Sequence, residues 1–271
     1  MPAPLIGSIA ALAALALGST APGPPPPHAL PPVDAKADYQ LGGNYRLPDG
    51  VRVVSRDRLA HPAPGTGRFN ICYVNAYQTQ PGQLRWWREH HPGALLRDNG
   101  RLVRDPGWPD EVLLDTSTSS KRRTIANVVG GWFDRCHRDH FDAVEPDNLD
   151  SFSRSKRLLT RQDNLAMAHR LAVRAHRAGL SIAQKNLAGL SRARRTAIGF
   201  DFAVAEECSR WRECGRYRAA YGRHVIEIEY ADNGRRWFTR ACRGHGNRWS
   251  IVYRDRNLVT PRRPAYVYDA C

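Results

Sequence analysis

The sequence predicts an α/β fold, a single-domain (β/α)8 barrel, and three observations carry that expectation. Short continuous apolar runs alternate with stretches of helical periodicity from about Tyr39 onward, the pattern of strands buried on both faces and covered by helices. The chain has 271 residues, and a barrel of this kind takes about 250. Its composition is globular, 42% hydrophobic and 25% charged. That excludes a disordered chain, a collagen-like chain and a multi-span membrane protein, and it is enough to bury a large core.

The amino terminus stands apart from this pattern. Residues 1–21 read as a secretory signal peptide: the Ala-rich run Leu5–Leu17 is too short to span a bilayer, and it ends in Gly-Ser-Thr-Ala with cleavage near Ala21. No Lys or Arg precedes the apolar run. Residues 22–37, with Pro24–Pro27, read as a proline-rich linker, which leaves 38–271 as the folded domain. The expected location is extracellular, with no membrane association after cleavage.

Six cysteines, Cys72, Cys136, Cys208, Cys214, Cys242 and Cys271, agree with export and imply three disulfides, although six allow fifteen pairings. Cys208 and Cys214 are close enough to close a small loop. Pairing Cys242 with the terminal Cys271 would pin the tail, and Cys72 with Cys136 is what then remains. The rival is zinc at Cys136, His137 and His140, but the paired-cysteine spacing typical of such sites does not occur. No metal and no cofactor is expected.

Taken in order, the strand candidates are Asp38–Leu41, Val51–Ser55, Phe69–Asn75, Val112–Thr116, Phe141–Asp147, Leu180–Asn186, Phe200–Glu206, Val225–Tyr230 and Ser250–Tyr253. That is one more than a barrel uses. Residues Lys121–His140 carry a helical stripe through Ile125, Val128, Val129, Trp132 and Phe133. Thr160–Ala178 carries another through Leu165, Ala168, Leu171, Ala172 and Ala175, with Thr160 as N-cap and Gly179 at the stop. Between Ser55 and Asn70 the chain is too short and Pro-rich for a full helix.

Polar residues gather at the carboxyl ends of these strands, the face on which barrels build their active sites. They are Asp115; Glu145, Asp147, Asn148 and Asp150; Gln184, Lys185 and Asn186; Glu206 and Glu207; Glu229 and Tyr230. So many carboxylates without a repeated histidine suit glycoside hydrolysis, in which one carboxyl group protonates the leaving oxygen and a second attacks or activates water. Clustered acids also suit hard cations, but the amides Gln184 and Asn186 favour hydroxyl recognition. Trp86, Trp87, Trp108 and Trp211 are candidates for stacking on sugar faces.

Seven motifs occur in order: Tyr-Gln-Leu-Gly (39–42), Ile-Cys-Tyr (71–73), Leu-Leu-Asp (113–115), Phe-Asp-Ala-Val-Glu-Pro-Asp-Asn-Leu-Asp (141–150), Gln-Lys-Asn (184–186), Val-Ala-Glu-Glu-Cys (204–208) and Ile-Glu-Tyr (228–230). Together they resemble the endo-α-1,4-polygalactosaminidases of glycoside hydrolase family 114, over about Tyr39 to Tyr253. The resemblance implies a (β/α)8 barrel that cuts α-1,4-linked galactosamine or N-acetylgalactosamine polymers within the chain. It places the catalytic Asp at Asp147 and the catalytic Glu at Glu206. The remaining motif residues are expected around the substrate: Tyr39, Gln40, Tyr73, Asp115, Asn148, Asp150, Gln184, Lys185, Asn186, Glu207, Glu229 and Tyr230. Asp147 reads as nucleophile and Glu206 as general acid/base; the reverse assignment and an inverting mechanism stay open. Strand parity does not choose between the adjacent Glu206 and Glu207 if the strand end bulges. Glu145 shares parity with Asp147 one layer lower, and reads as its buried partner.

Charge sets a conflict. The formal net charge is +15, and of 41 basic residues only Lys36, Lys121, Lys156 and Lys185 are lysine. Such a surface repels a polycationic galactosamine polymer at long range, unless an acid-rich cleft reverses the field within a Debye length of about 8–10 Å. The basic exterior would equally hold the enzyme on anionic cell-wall polymers. The competing functions are a non-catalytic carbohydrate-binding barrel and, further off, a secreted nucleic-acid-binding protein. The expected partner is an amino-sugar polysaccharide rather than nucleic acid, acted on by a monomer.

Overall fold

The structure, a computed structural model, describes residue 1 and residues 28–271. Apart from Met1, the expected signal peptide lies outside the described residues, as do positions 22–27 of the expected linker. The rest of that stretch packs on the domain. The His28 ring stacks on His176, the Pro31 carbonyl accepts from His224, and Ala35 is buried.

Eight parallel strands run in sequence order around the barrel: β1 (Lys36–Gln40), β2 (Val51–Asp57), β3 (Phe69–Asn75), β4 (Ala143–Asp147), β5 (Ser181–Lys185), β6 (Phe202–Glu206), β7 (Val225–Tyr230) and β8 (Ser250–Arg254). A short β9 (Tyr268–Ala270) pairs antiparallel with β8. The alternation of side chains sorts the apolar residues into two layers. Ala37, Val53, Ile71, Ala143, Ala183, Val204, Ile228 and Val252 fill the barrel interior. Val74, Val144, Ile182, Ala203, Ala205 and Ile251 face the helices.

The seam between β8 and β1 is held by side chains. The fully buried Arg254 guanidinium donates to Asp38 Oδ1 at 2.8 Å and to the Tyr39 carbonyl, and reaches the Val259 and Val267 carbonyls at 3.0 and 2.9 Å. A buried charge survives only with this degree of pairing.

No helix follows β1 or β2. From β3 onward the crossovers are helical: α1 (Leu84–His90), α2 (Ser119–Arg138), α3 (Arg161–Arg177), α4 (Arg192–Ile198), α5 (Cys208–Trp211), α6 (Cys214–Tyr221) and α7 (Arg236–His245). As expected, α3 starts at Thr160, which forms a capping box with Asp163, and stops before Gly179 at φ +80°. None of the described helices is long and apolar enough to cross a membrane.

The ninth strand candidate is the one the barrel does not use. Val112, Leu113 and Leu114 form antiparallel bridges to Arg104, Gln78 and Leu95 within the long β3–α2 connection. Buried apolar runs this short have the same pattern in a barrel strand and in an insertion.

The three disulfides are Cys72–Cys136, Cys208–Cys214 and Cys242–Cys271, the pairing that the spacing favoured. They tie β3 to α2, close the α5 turn, and fasten the chain end to α7.

Candidate active site

The inward positions at the carboxyl ends of β3 to β7 carry Tyr73 and Asn75, Asp147, Lys185, Glu206 and Tyr230. With the connections above them they line a cleft of about 530 Å³. Lys185 is at its centre. Its Nζ is 3.3 Å from Asp147 Oδ1, 3.5 Å from Glu206 Oε2 and 3.1 Å from Glu145 Oε1, with the Lys185 side chain 1% exposed. Because one ammonium touches both carboxylates, the two oxygens are separated by no more than the sum of those contacts.

Below this level, Glu145 forms the floor. It is fully buried and accepts hydrogen bonds from Tyr39 Oη and Ser55 Oγ, both at 2.6 Å. Burial raises its pKa above the usual carboxylate range, against the pull of Lys185 and the two hydroxyl donors. Tyr39 Oη in turn accepts from Lys185 Nζ at 2.8 Å.

Asp147 ends on the opposite side of that balance. Burial is the largest influence and pushes its pKa upward, and the Lys185 ammonium is the first of several groups that together outweigh it. The Tyr73 hydroxyl (2.7 Å) and the Asn148 amide (2.8 Å) add to the ammonium, so the carboxyl lies below its ordinary value. For Lys185, burial works against the charge, but Asp147, Glu206 and Glu145 more than offset it and hold the proton well above the ordinary lysine range. Glu206 accepts from Asn186 Nδ2 at 2.8 Å and from the Tyr230 hydroxyl. That phenol stays protonated, since burial and then Glu206 raise its pKa strongly.

Three successive strands end in the same way. Asn148, Asn186 and Glu207 follow Asp147, Lys185 and Glu206, and all three are left-handed, at φ +67°, +51° and +59°. Asn tolerates this conformation, whereas for Glu it costs about 1 kcal/mol or more. The reversal points the adjacent glutamates in different directions. Glu206 keeps strand parity and faces Lys185. Glu207 turns away to Arg210 at 3.1 Å and Arg256 at 2.7 Å, which hold it below the ordinary range against the effect of burial.

The cleft thus gathers Tyr39, Tyr73, Asp147, Asn148, Asp150, Lys185, Asn186, Glu206 and Tyr230 of the expected residues. Besides Glu207, four others lie elsewhere. Gln40 is buried between Asp38 and Arg56. Asp115 belongs to the insertion and binds Ser117 and Lys121 at the start of α2. Gln184 and Glu229 have outward parity. Gln184 braces the Asn186 and Leu187 carbonyls from behind at 2.8 and 3.0 Å, while Glu229 pairs with Glu227 under the Ser209 amide. Of the tryptophans, Trp108 lines the cleft. Trp87 is fully buried, packing edge-on against Trp132, and Trp86 stacks on His90.

Apart from Trp108, sequence reading missed the part of the cleft supplied by the β3–α2 connection. Asn148 Nδ2 donates to Asn75 Oδ1 (2.9 Å), and Asn75 Nδ2 donates to Glu111 Oε2 (2.7 Å). Arg154 spans Asp105 at 2.6 Å and Asp150 at 3.0 Å. Burial lifts Glu111 to a pKa of about 7. The available signal was the length of that connection, because long loops on this face of a barrel carry function.

Six acidic residues (Asp57, Asp105, Glu111, Asp147, Asp150, Glu206) and three basic ones (Arg154, Lys185, Arg256) line the cleft. The site therefore opposes the sign of the whole chain. The ammonium of Lys185 occupies the middle of the acid cluster, where a hard cation would otherwise bind. Elsewhere Cys208, Cys214 and Glu227 converge with metal-like spacing, but both sulfurs are consumed by their disulfide. Cys136, the thiol of the zinc alternative, is likewise bonded to Cys72.

The sequence model of glycoside-hydrolase family GH114 matches residues 18–271. Among solved structures, Aspergillus fumigatus Ega3 in complex with galactosamine is similar at a TM-score of 0.68 and 22% identity, over 90% of this chain and 97% of that one. The glycoside hydrolase domain of PelA from Pseudomonas aeruginosa is similar at a TM-score of 0.57 and 12% identity, over 86% of this chain and 97% of that one. Both likenesses are of fold. No curated protein matches the chain.

Proposed function

The chain belongs to glycoside-hydrolase family GH114, and from that membership we propose that it is a secreted, endo-acting hydrolase of α-1,4-linked galactosamine and N-acetylgalactosamine polymers. Asp147 is the nucleophile. One of its carboxylate oxygens bonds to the anomeric carbon while Glu206 gives its proton to the departing glycosidic oxygen. Water then attacks the same carbon, loses its proton to Glu206 and frees the Asp147 carboxylate.

The observation that carries this assignment is the Lys185 ammonium within 3.5 Å of both carboxylates. It keeps the half-buried Asp147 anionic, and Tyr73 fixes the second oxygen. Glu206, with its side chain 25% exposed, reaches the open cleft where a leaving oxygen would be. The surplus of acids along the cleft suits a substrate that carries amines, and Ega3, similar in fold, was solved with galactosamine. An extracellular setting agrees with three disulfides and with the apolar run of the first 21 residues.

The test is to incubate the purified protein with partially deacetylated poly-N-acetylgalactosamine and follow new reducing ends. Internal cleavage yields a ladder of oligomers from the first minutes. Absence of new reducing ends on both acetylated and deacetylated polymer overturns the proposal.

A further inference from the structure

The cleft has a second lobe. A cavity of about 430 Å³ adjoins the first and shares Asp150, Asn186, Glu206 and Arg256 with it. Glu206 is therefore at the junction of two lobes. Trp108 lines the first lobe and Trp211 the second, and these two tryptophans are 52% and 58% exposed. Each indole thus presents apolar ring surface to its lobe, where it is available to stack on a sugar face.

Trp211 is also held in place. It ends the four-residue turn α5, flanked by left-handed residues at Glu207 (φ +59°) and Arg212 (φ +58°) and closed by the Cys208–Cys214 disulfide. The Arg210 guanidinium covers one face of the indole at 4.6 Å. Glu213 lines the same lobe and, among the described residues, enters no salt bridge. A rigid aromatic with one face occupied, a free carboxylate nearby and a catalytic acid at the end of the lobe match an amino-sugar ring: the apolar face of the ring stacks, and the amine meets the acid.

We propose that the second lobe is a sugar subsite on the Glu206 side of the scissile bond, with Trp211 as its stacking platform and Glu213 as its amine partner. This rests on the hydrolase reading above. It adds that the substrate lies across Glu206, with sugar units in both lobes, so that Trp211 selects for chain length.

The experiment uses the full chain and α-1,4-linked galactosamine oligomers of increasing length. In Trp211→Ala, KM for oligomers long enough to fill both lobes rises about three- to tenfold, in keeping with the size of aromatic contacts. The product ladder shifts with it. Glu213→Gln raises KM for amine-bearing oligomers more than for acetylated ones. Trp86→Ala, remote on α1, changes neither. A Trp211→Ala protein that folds normally and keeps the wild-type KM and ladder overturns the subsite. Quenching of tryptophan fluorescence by the same oligomers in Glu206→Gln, measured with and without Trp211→Ala, reads the subsite without turnover. A wild-type enzyme that released no ends would sink the hydrolase reading, whereas a quench lost with Trp211 would still establish the lobe.

Discussion

Asn186 and Glu206 are joined twice across neighbouring strands. Asn186 Nδ2 donates to Glu206 Oε2 at 2.8 Å, and the Glu206 amide donates back to Asn186 Oδ1 at 2.9 Å. The left-handed backbone of Asn186 aims its amide at the strand beside it. Replacing Asn186 with Ala removes both bonds and puts alanine into a conformation that costs about 1–2 kcal/mol. The expected outcome is a loss of roughly 10²-fold in kcat, the scale for one catalytic hydrogen-bond donor, with a smaller change in KM. Steady-state kinetics on a defined oligomer checks it.

Lys185→Met leaves three carboxylates around an uncharged side chain. Removing one partner from a buried charge cluster costs about 3–5 kcal/mol. Asp147 has a depressed pKa in the fold, so its stabilisation is present above the unfolded-state value and fades as pH falls through the folded one. The stability gap between wild type and Lys185→Met is therefore widest near neutrality and narrows toward pH 3, as urea unfolding at both pH values measures. In any activity that remains, the acid limb of the pH profile moves to higher pH.

The pair Glu227 and Glu229 gives a dependence of opposite sign. Both are fully buried. Burial, then the neighbouring carboxylate, raises Glu227 to a pKa of about 8, and Ser209 opposes the rise. The folded state keeps a proton that the unfolded chain gives up near the ordinary glutamate pKa of about 4.3. The stabilisation is complete below that value and is lost as pH climbs toward about 8. Glu227→Gln keeps the shape and removes the ionisation. Its melting temperature is expected to match wild type near pH 4.5 and to exceed it at pH 8, by differential scanning fluorimetry.

Cys271→Ser tests the chain-end clasp. The Cys242–Cys271 link spans a sequence separation of 29, worth about 3.6 kcal/mol by chain entropy. It lies away from the cleft, so denaturant stability should fall by that amount while kcat stays at the wild-type value.

Much of this was legible in the sequence, and what was not has definite physical causes. Several barrel strands announce themselves because a strand buried on both faces is largely apolar until the residue that meets the cleft, as in Phe-Ala-Val-Ala-Glu (202–206). Asp147, Lys185 and Glu206 stand out because each is a charge that ends such a run at the cleft face of the barrel. Parity alone left Glu206 and Glu207 unresolved, since only the positive φ of Glu207 turns its side chain away. Asp115 misled for a different reason. Val-Leu-Leu-Asp has the apolar-run-plus-acid form of a barrel strand, yet its bridges are to the insertion and its carboxylate anchors α2. Trp87, beside Trp86 on one helix, shows that type and position do not give burial when the neighbouring insertion is unread. Asp105, Glu111 and Arg154 reach the cleft through tertiary contacts that no local pattern encodes.

The central claim is that Asp147 and Glu206 act together on one glycosidic bond. Its most direct test is the initial rate of reducing-end release by Asp147→Asn and Glu206→Gln, each verified as folded by its melting curve. The expected result is a loss of at least about 10³-fold in both, on the scale of removing a nucleophile or its proton-transfer partner. Wild-type rates in either variant would contradict the mechanism.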